Sequence, residues 1–417
     1  MREYGRFLFR CFRLSFHGDW KYYAWMLVLT VISLIGLNAY AKQLVHGLAT
    51  TGMTDQVSWG LYIANFTFLV GVAAAAVMLV IPVYIYKRHE LHDLVIFGEL
   101  LAVASIVMCL LFVTVDLGRP DRFHHLFLRF NFPISMLTWD VVVLNVYLLL
   151  NLHICGYLVY CAYRKREPSK VFYIPFVFIA IVWAISIHTV TAFLYSGLGG
   201  RPFWNSAVIA PRFIASAFAA GPAIIILTLQ ILRANTPYPV TDKAIQLLRN
   251  IVTVALSINM FLLGSEVFTE FYTGSTHSVS ARYLFFGLHG HNALVPWIWA
   301  AIALNLVALA ILFTPFSRRL KVLNVACIAL IIGIWIEKGM GLIIPAFVPT
   351  PLGEIVEYTP TLNEILVGLG IWAFGLLLYT IFVRITIPVL QGRLTIDTLY
   401  HTDQNQDEIV AHRASTA

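Results

Sequence analysis

Residues 94–140 read LVIFGELLAVASIVMCLLFVTVDLGRPDRFHHLFLRFNFPISMLTWD. The run 94–116 is apolar apart from Glu99, Ser105, Thr114 and a closing Asp116. As a helix it is long enough to cross a hydrocarbon layer about 30 Å thick. Gly118 and Pro120 stop that helix and shape a tight turn. A wet stretch follows, with Arg119, Asp121, Arg122, His124, His125 and Arg129, and the chain turns apolar again at Pro133 with Asp140 inside the new run. The pattern is that of two membrane helices joined by a charged hairpin. It brings Asp116 and Asp140 to one membrane face, where an ionised carboxylate is costly unless paired or hydrated.

The rest of the chain extends this reading. Of 417 residues, 59% are hydrophobic and 12% are Asp, Glu, Lys or Arg, against about 25% charged in an average soluble domain. The fold class is therefore all-α, a polytopic helical membrane protein. Spans are expected at roughly 22–38, 59–86, 94–116, 134–162, 171–195, 207–232, 244–272, 281–313, 320–337 and 362–390, ten in all. The runs Gly71–Ala76 and Ala215–Gly221 are rich in small residues and suit close helix contacts. They open corresponding parts of two four-helix units, about 59–195 and 207–337. Pro82, Pro175, Pro222 and Pro296 are positioned to kink helices. The net charge of +7 is spread over loops, and the five cysteines form no CxxC pair, which argues against nucleic acid, iron–sulfur ligation and a disulfide framework. Residues 1–21 are basic and aromatic and read as an amphipathic cytoplasmic segment on an anionic leaflet. No cleaved signal peptide is expected.

Positive charge orients the bundle. Counting every Lys and Arg by side, 20 fall with the termini and 8 with the opposite loops. Both termini and the tail 391–417 should then be cytoplasmic. The Asp116–Arg129 hairpin and a wet loop over 338–361 should face outward.

Sorted by depth, Asp116, Asp140, His188, Glu266, His289, His291 and Glu337 lie toward the outer face, Glu99 and His153 toward the inner one. A shared outer pocket of acids and imidazoles suits quinone chemistry, because each quinone carbonyl needs a hydrogen-bond donor and a proton source tuned by burial. His188 is positioned to hold one carbonyl, with Asp116 or Glu266 in relay. Glu99, His153 and Asp140 offer stepping stones for protons from the cytoplasm. The same residue types fit an ion transporter. A b-type haem between two histidines fits less well, since His153 lies toward the wrong face and a helix over 281–313 would point His289 and His291 apart.

Several motifs also resemble a known family. Asp116-Leu-Gly-Arg-Pro-Asp-Arg-Phe123, Trp59-Gly60, His188-Thr189-Val190, Pro211–Ala217, Glu337-Lys338-Gly339 and Tyr358–Glu364 resemble, in order and spacing, the NrfD-like (polysulfide-reductase-type) integral membrane subunits. The chain looks like the ten-span kind, found in menaquinone reductase (Qrc), Dsr-type and alternative complex III assemblies, and most like the Qrc type of sulfate-reducing bacteria. The resemblance implies a quinone site near the outer face, at Asp116, Arg119 and His188, with Asp140 beside them and Glu337 a further candidate. It implies no metal, haem or iron–sulfur cluster in this chain. The partners implied are a ferredoxin-like multi-cluster iron–sulfur subunit, a molybdopterin-oxidoreductase-like subunit and, for the Qrc type, a multihaem cytochrome c that feeds electrons to menaquinone. Outward loops 39–58, 117–133 and 338–361 would form the docking platform. A quinol-oxidising subunit, an ion-translocating subunit and a passive membrane anchor are the competing readings.

Overall fold

The computed structural model describes residues 2–87, 89–272, 274 and 278–396. Among them there is no strand, only a bridge between Leu288 and His291. The helices run α1 Arg2–Ser15, α2 Trp20–His46, α3 Leu61–Ala73, α4 Val77–Tyr84, α5 Val95–Asp116, α6 His125–Leu128, α7 Met136–Tyr163, α8 Lys170–Ser196, α9 Ile209–Asn235, α10 Asp242–Tyr272, α11 Ser278–Phe286, α12 Val295–Phe313, α13 Leu320–Lys338, α14 Met340–Ile343 and α15 Leu362–Leu390. A short 3-10 turn joins α3 to α4 in one span. Among the described residues ten helices are long and apolar enough to cross a membrane, and the protein is an all-helical, multi-pass membrane protein. The tail lies, from residue 397, outside the described residues.

Local chemistry sets the ends. Asp19 caps α2 by accepting the Tyr22 N–H at 3.1 Å. Thr361 and Glu364 form a capping box at the start of α15. Beyond α5, Leu117 turns extended ahead of the Gly118–Pro120 hairpin, as the hairpin reading requires.

Helix α3 packs on α5, α5 on α7, α7 on α8 and α8 on α3; α9, α10, α12 and α13 close a second ring. Helices α2 and α15 pair with each other and α15 leans on α5, α2 and α15 meeting so closely that a Cβ on Gly36 would lie 2.5 Å from Gly370 Cα. The two small-residue runs face one another. A Cβ on Gly221 would come within 2.1 Å of Ala75 Cβ, and one on Gly71 within 3.6 Å of Ala217. They are the seam along which α3–α4 and α9 join the rings.

Two expectations need correction. The span expected over 281–313 is broken: α11 ends at Phe286, and the chain turns through Gly287 and Gly290, both at positive φ, before α12 starts at Val295. Pro296 therefore stands in the first turn of α12, where its missing N–H costs nothing, rather than kinking a long helix. His289 and His291 lie in the turn. The second correction concerns 338–361, expected as a wet loop. Residues 338–348 are buried, folding back as α14 and a 3-10 turn over Pro345–Phe347. The apolar residues Leu342, Ile343, Ile344, Phe347 and Val348 explain this: too short to span, they pack inward beneath the Trp204 indole, which donates to Leu342 O at 2.8 Å.

Candidate functional site

Two polar networks lie toward the end of the bundle that carries the 117–133 hairpin. The first belongs to α3, α5, α7 and α8. Asp140, in the second turn of α7, is buried and accepts the Thr191 hydroxyl at 2.7 Å. One turn earlier on α8 lies His188, also buried, with Nδ1 2.9 Å from Ala184 O. That carbonyl can only accept, so Nδ1 carries the proton and the neutral ring presents Nε2 as a lone pair. Nε2 is buried with no hydrogen-bond partner among the described residues, and so is Oδ1 of Asp116. Tyr195 and Thr67 share a hydrogen bond of 2.5 Å beside them. Above these groups Trp59 stacks on Trp204, with ring centres 5.6 Å apart. Gln43 ties the assembly to α2, accepting from Tyr62 at 2.7 Å and donating to Val115 O at 2.6 Å.

The second network belongs to the other ring. Arg212, in the first turn of α9, donates Nε and Nη2 to Glu337 Oε1 at 3.2 and 2.9 Å, and Nη1 to Glu266 Oε2. Asn259 and Asn305 also donate to Glu337, the latter at 2.8 Å. Charge-assisted hydrogen bonds thus satisfy both carboxylates around one guanidinium, the arrangement that makes buried charge tolerable.

Between the networks stands Lys338. It is 5% exposed, and its ammonium donates to Phe213 O at 3.3 Å and sits 4.3 Å from the centre of the Phe213 ring. Its Nζ reaches the α3 side of the seam, where a Cβ on Gly71 would lie 3.2 Å from it. No carboxylate bonds it among the described residues. Gly71 lies on α3, which packs against α8, the helix of His188.

The sequence-derived candidates thus separate. Asp140 and His188 are brought together through Thr191, and Asp116 ends a helix of the same ring. Glu266 and Glu337 meet around Arg212, in the other ring. Arg119 lies on the surface, its side chain 66% exposed and bonded to Asp121. Glu99 is buried with the Cys155 thiol 3.5 Å away. His153 is on the outside of α7, bonded to Phe172 O. His291 pairs with Glu357 at 3.2 Å; partial burial pushes the Glu357 carboxyl up, but the Ala293 N–H and His291 hold it below its ordinary range. Sequence reasoning counted Arg212 and Lys338 as loop charges and missed Asn259 and Asn305. The signal was available in Pro211-Arg212 and Glu337-Lys338, ionisable residues at the margins of apolar runs.

Comparison with known proteins adds a lineage. A putative dimethyl sulfoxide reductase membrane subunit of Halobacterium salinarum is 25% identical, over 91% of this chain and 94% of its own length. A selenate reductase subunit of Mesobacillus selenatarsenatis is 23% identical over 87% of this chain and 93% of its own. The Hdr-like menaquinol oxidoreductase integral membrane subunit of Archaeoglobus fulgidus is 22% identical over 88% and 93%. A family model described as polysulphide reductase, NrfD, matches residues 49–349. That stretch contains both rings and, Gln43 apart, both networks, leaving out α1, α2 and α15, and the chain belongs to the polysulphide reductase, NrfD, family.

Proposed function

We propose that the chain is the quinone-binding membrane subunit of a multi-subunit respiratory oxidoreductase, exchanging electrons between a peripheral redox subunit and menaquinone. One observation carries the proposal: a buried imidazole nitrogen without a partner among the described residues, on the turn of α8 next to the Asp140–Thr191 pair. An unpartnered polar atom inside an apolar bundle costs free energy; a quinol hydroxyl would relieve that cost by donating to Nε2, and a quinone oxygen would do so by accepting from Nε2 once it is protonated. The similar proteins support this. Two are named as reductase subunits and one as a menaquinol oxidoreductase subunit. The partners would be a ferredoxin-like iron–sulfur subunit, a molybdopterin-type subunit and a multihaem cytochrome c. They would dock at the hairpin and at the exposed part of the 338–361 segment, Pro351–Glu354 with Glu357. The protein would sit in a bacterial inner membrane with both termini cytoplasmic. Cysteines introduced at 121–129 should label from the periplasm of intact cells, and labelling only in broken cells would reverse this orientation.

Protons from the cytoplasm would follow α5 and α7, where Glu99, Cys155, Asn151, Tyr147 and Ser105 are buried in succession below Asp140. His153, on the outside of α7, is not in that line. The test is to isolate the complex, measure bound quinone and follow its reduction by the partner subunits. His188→Ala should assemble normally and lose about 10²-fold or more in turnover, the contribution expected of a positioned acid–base group. Near-wild-type turnover with unchanged quinone affinity would remove His188 from the site. A second reading, quinol oxidation, draws on the lone pair at Nε2, which matches a hydroxyl donor better than a carbonyl. Comparing rates in the two directions with the same complex decides between them.

A further inference from the structure

Lys338 stands out among the buried groups. A buried ammonium normally pairs with a carboxylate or loses its proton. Glu337 is its neighbour in sequence, yet that carboxylate is turned to Arg212, Asn259 and Asn305. Among the described residues the ammonium has one hydrogen-bond acceptor, the backbone carbonyl Phe213 O, at the long distance of 3.3 Å. Its other donors face the seam between the rings, on the side of Gly71. Two small cavities adjoin it in series. One is lined by Lys338, Arg212, Glu337 and Ser216, and the next by Arg212, Glu266, Glu270 and Phe285. Glu270 is half-buried in the last turns of α10, at the hairpin end. A row of ionisable groups thus runs from that end through the second ring to Lys338. On the other side of Lys338, across Gly71 of α3, lies α8, which packs on α3 and carries His188, whose free Nε2 is a proton acceptor.

We propose that Lys338 is a proton-relay residue linking the Arg212 network to His188, so that one of the two protons of quinone reduction is drawn from the hairpin side. This rests on the proposed quinone reaction. Reduction consumes two electrons, supplied by the iron–sulfur partner, and two protons, one for each oxygen. In the relay, an N–H bond of Lys338 breaks and a proton passes through intervening water to His188 Nε2. The N–H formed there then donates to the nearer quinone oxygen, and His188 returns to the neutral ring. The lysine amine regains a proton from the aqueous phase at the hairpin end, along the cavities holding Arg212 and Glu266. The Glu99 line supplies the other proton. An ammonium suits this position for a physical reason: lysine gives up its proton readily once desolvated, whereas a guanidinium does not.

The experiment uses the whole complex in sealed liposomes, wild type, Lys338→Arg and Lys338→Gln, with electrons delivered on the hairpin side. Bound quinone, turnover and proton uptake from each side are measured together. Both variants are expected to retain their quinone and lose about 10²-fold in turnover. In the residual turnover, uptake on the hairpin side should fall from one proton per quinol to none. That shift distinguishes a relay from a merely structural residue. A Lys338→Arg complex with wild-type turnover and proton balance would overturn the proposal, because fixed charge would then suffice. Lys338→Gln with wild-type behaviour would overturn it as well. If the wild-type complex neither holds nor reduces quinone, it is the quinone reading that fails; if wild type is active and Lys338→Arg matches it, only the relay fails.

Discussion

The two rings of helices treat buried polarity in opposite ways. Around Arg212, two carboxylates and two asparagine amides converge, and both carboxylates are bonded. Around His188, an imidazole nitrogen and a carboxylate oxygen of Asp116 are left without partners among the described residues, in an equally apolar setting. In the first arrangement each ionisable group is bonded, the open atoms being the amide oxygens of Asn259 and Asn305; in the second the open atoms belong to the ionisable groups themselves. Charge content alone does not distinguish them, since both hold acids at similar depth. Bonding of the ionisable groups does, and it points to the ring of α3, α5, α7 and α8 for ligand chemistry, with the ion-paired ring as its support.

The harshest way to break this comparison is Arg212→Met. It strands Glu266 and Glu337 without their counter-charge, and removing one partner of a buried ion pair typically costs about 3–5 kcal/mol. The complex should lose thermal stability and subunit assembly together, as followed by size-exclusion and melting of the purified complex. His188→Ala should do the reverse, sparing stability and removing turnover. If Arg212→Met were stable while His188→Ala unfolded the protein, the assignment of support and site would have to be exchanged.

The smallest expected effect lies outside the membrane-spanning helices. Partial burial works against the Glu357 charge, but the Ala293 N–H and His291 outweigh it and hold the carboxyl below its usual range. A depressed carboxyl contributes stability above its unfolded pKa of about 4.3, and that contribution is lost as pH falls through the folded value. Hydrogen exchange at 287–294 should accelerate once the pH drops below the ordinary carboxylate range. Glu357→Gln should show fast exchange already at neutral pH and leave both buried networks unchanged. Equal exchange in the two proteins across that range would mean that the His291 contact does not hold the turn.

Much of this architecture was legible beforehand. Apolar runs of sufficient length can only be helices in lipid, because each backbone group must be bonded within its own segment. Eight of the ten span estimates, including 94–116 and 362–390, fall within a few residues of the helices. The span over 22–38 proved longer, reaching His46, because Asn38 to Gln43 continue a helix that packs on α15 and is tied to α5 by the Gln43 hydrogen bond to Val115 O. The span over 281–313 proved shorter, because two glycines at positive φ interrupt a run whose composition is largely apolar. The family resemblance held for the same reason that motifs are readable at all: order and spacing along one chain survive without any knowledge of contacts.

Which ionisable residues share a pocket was not legible. Depth along each helix follows from counting residues, and by depth Asp116, Asp140, His188, Glu266 and Glu337 formed a single group. Rotation about each helix axis and the identity of its neighbours are decided by packing, here by the seam at Gly71, Ala75, Ala217 and Gly221, and they divide that group in two. The same packing turns Arg212 and Lys338, which read as loop charges, into the centre of one network and the link to the other. It also draws residues 338–348 inward, since a short apolar segment with no length to span can bury its side chains only against helices distant in sequence. Helix number, length and depth are properties of one segment and its solvent; pairing is a property of two segments and the space between them.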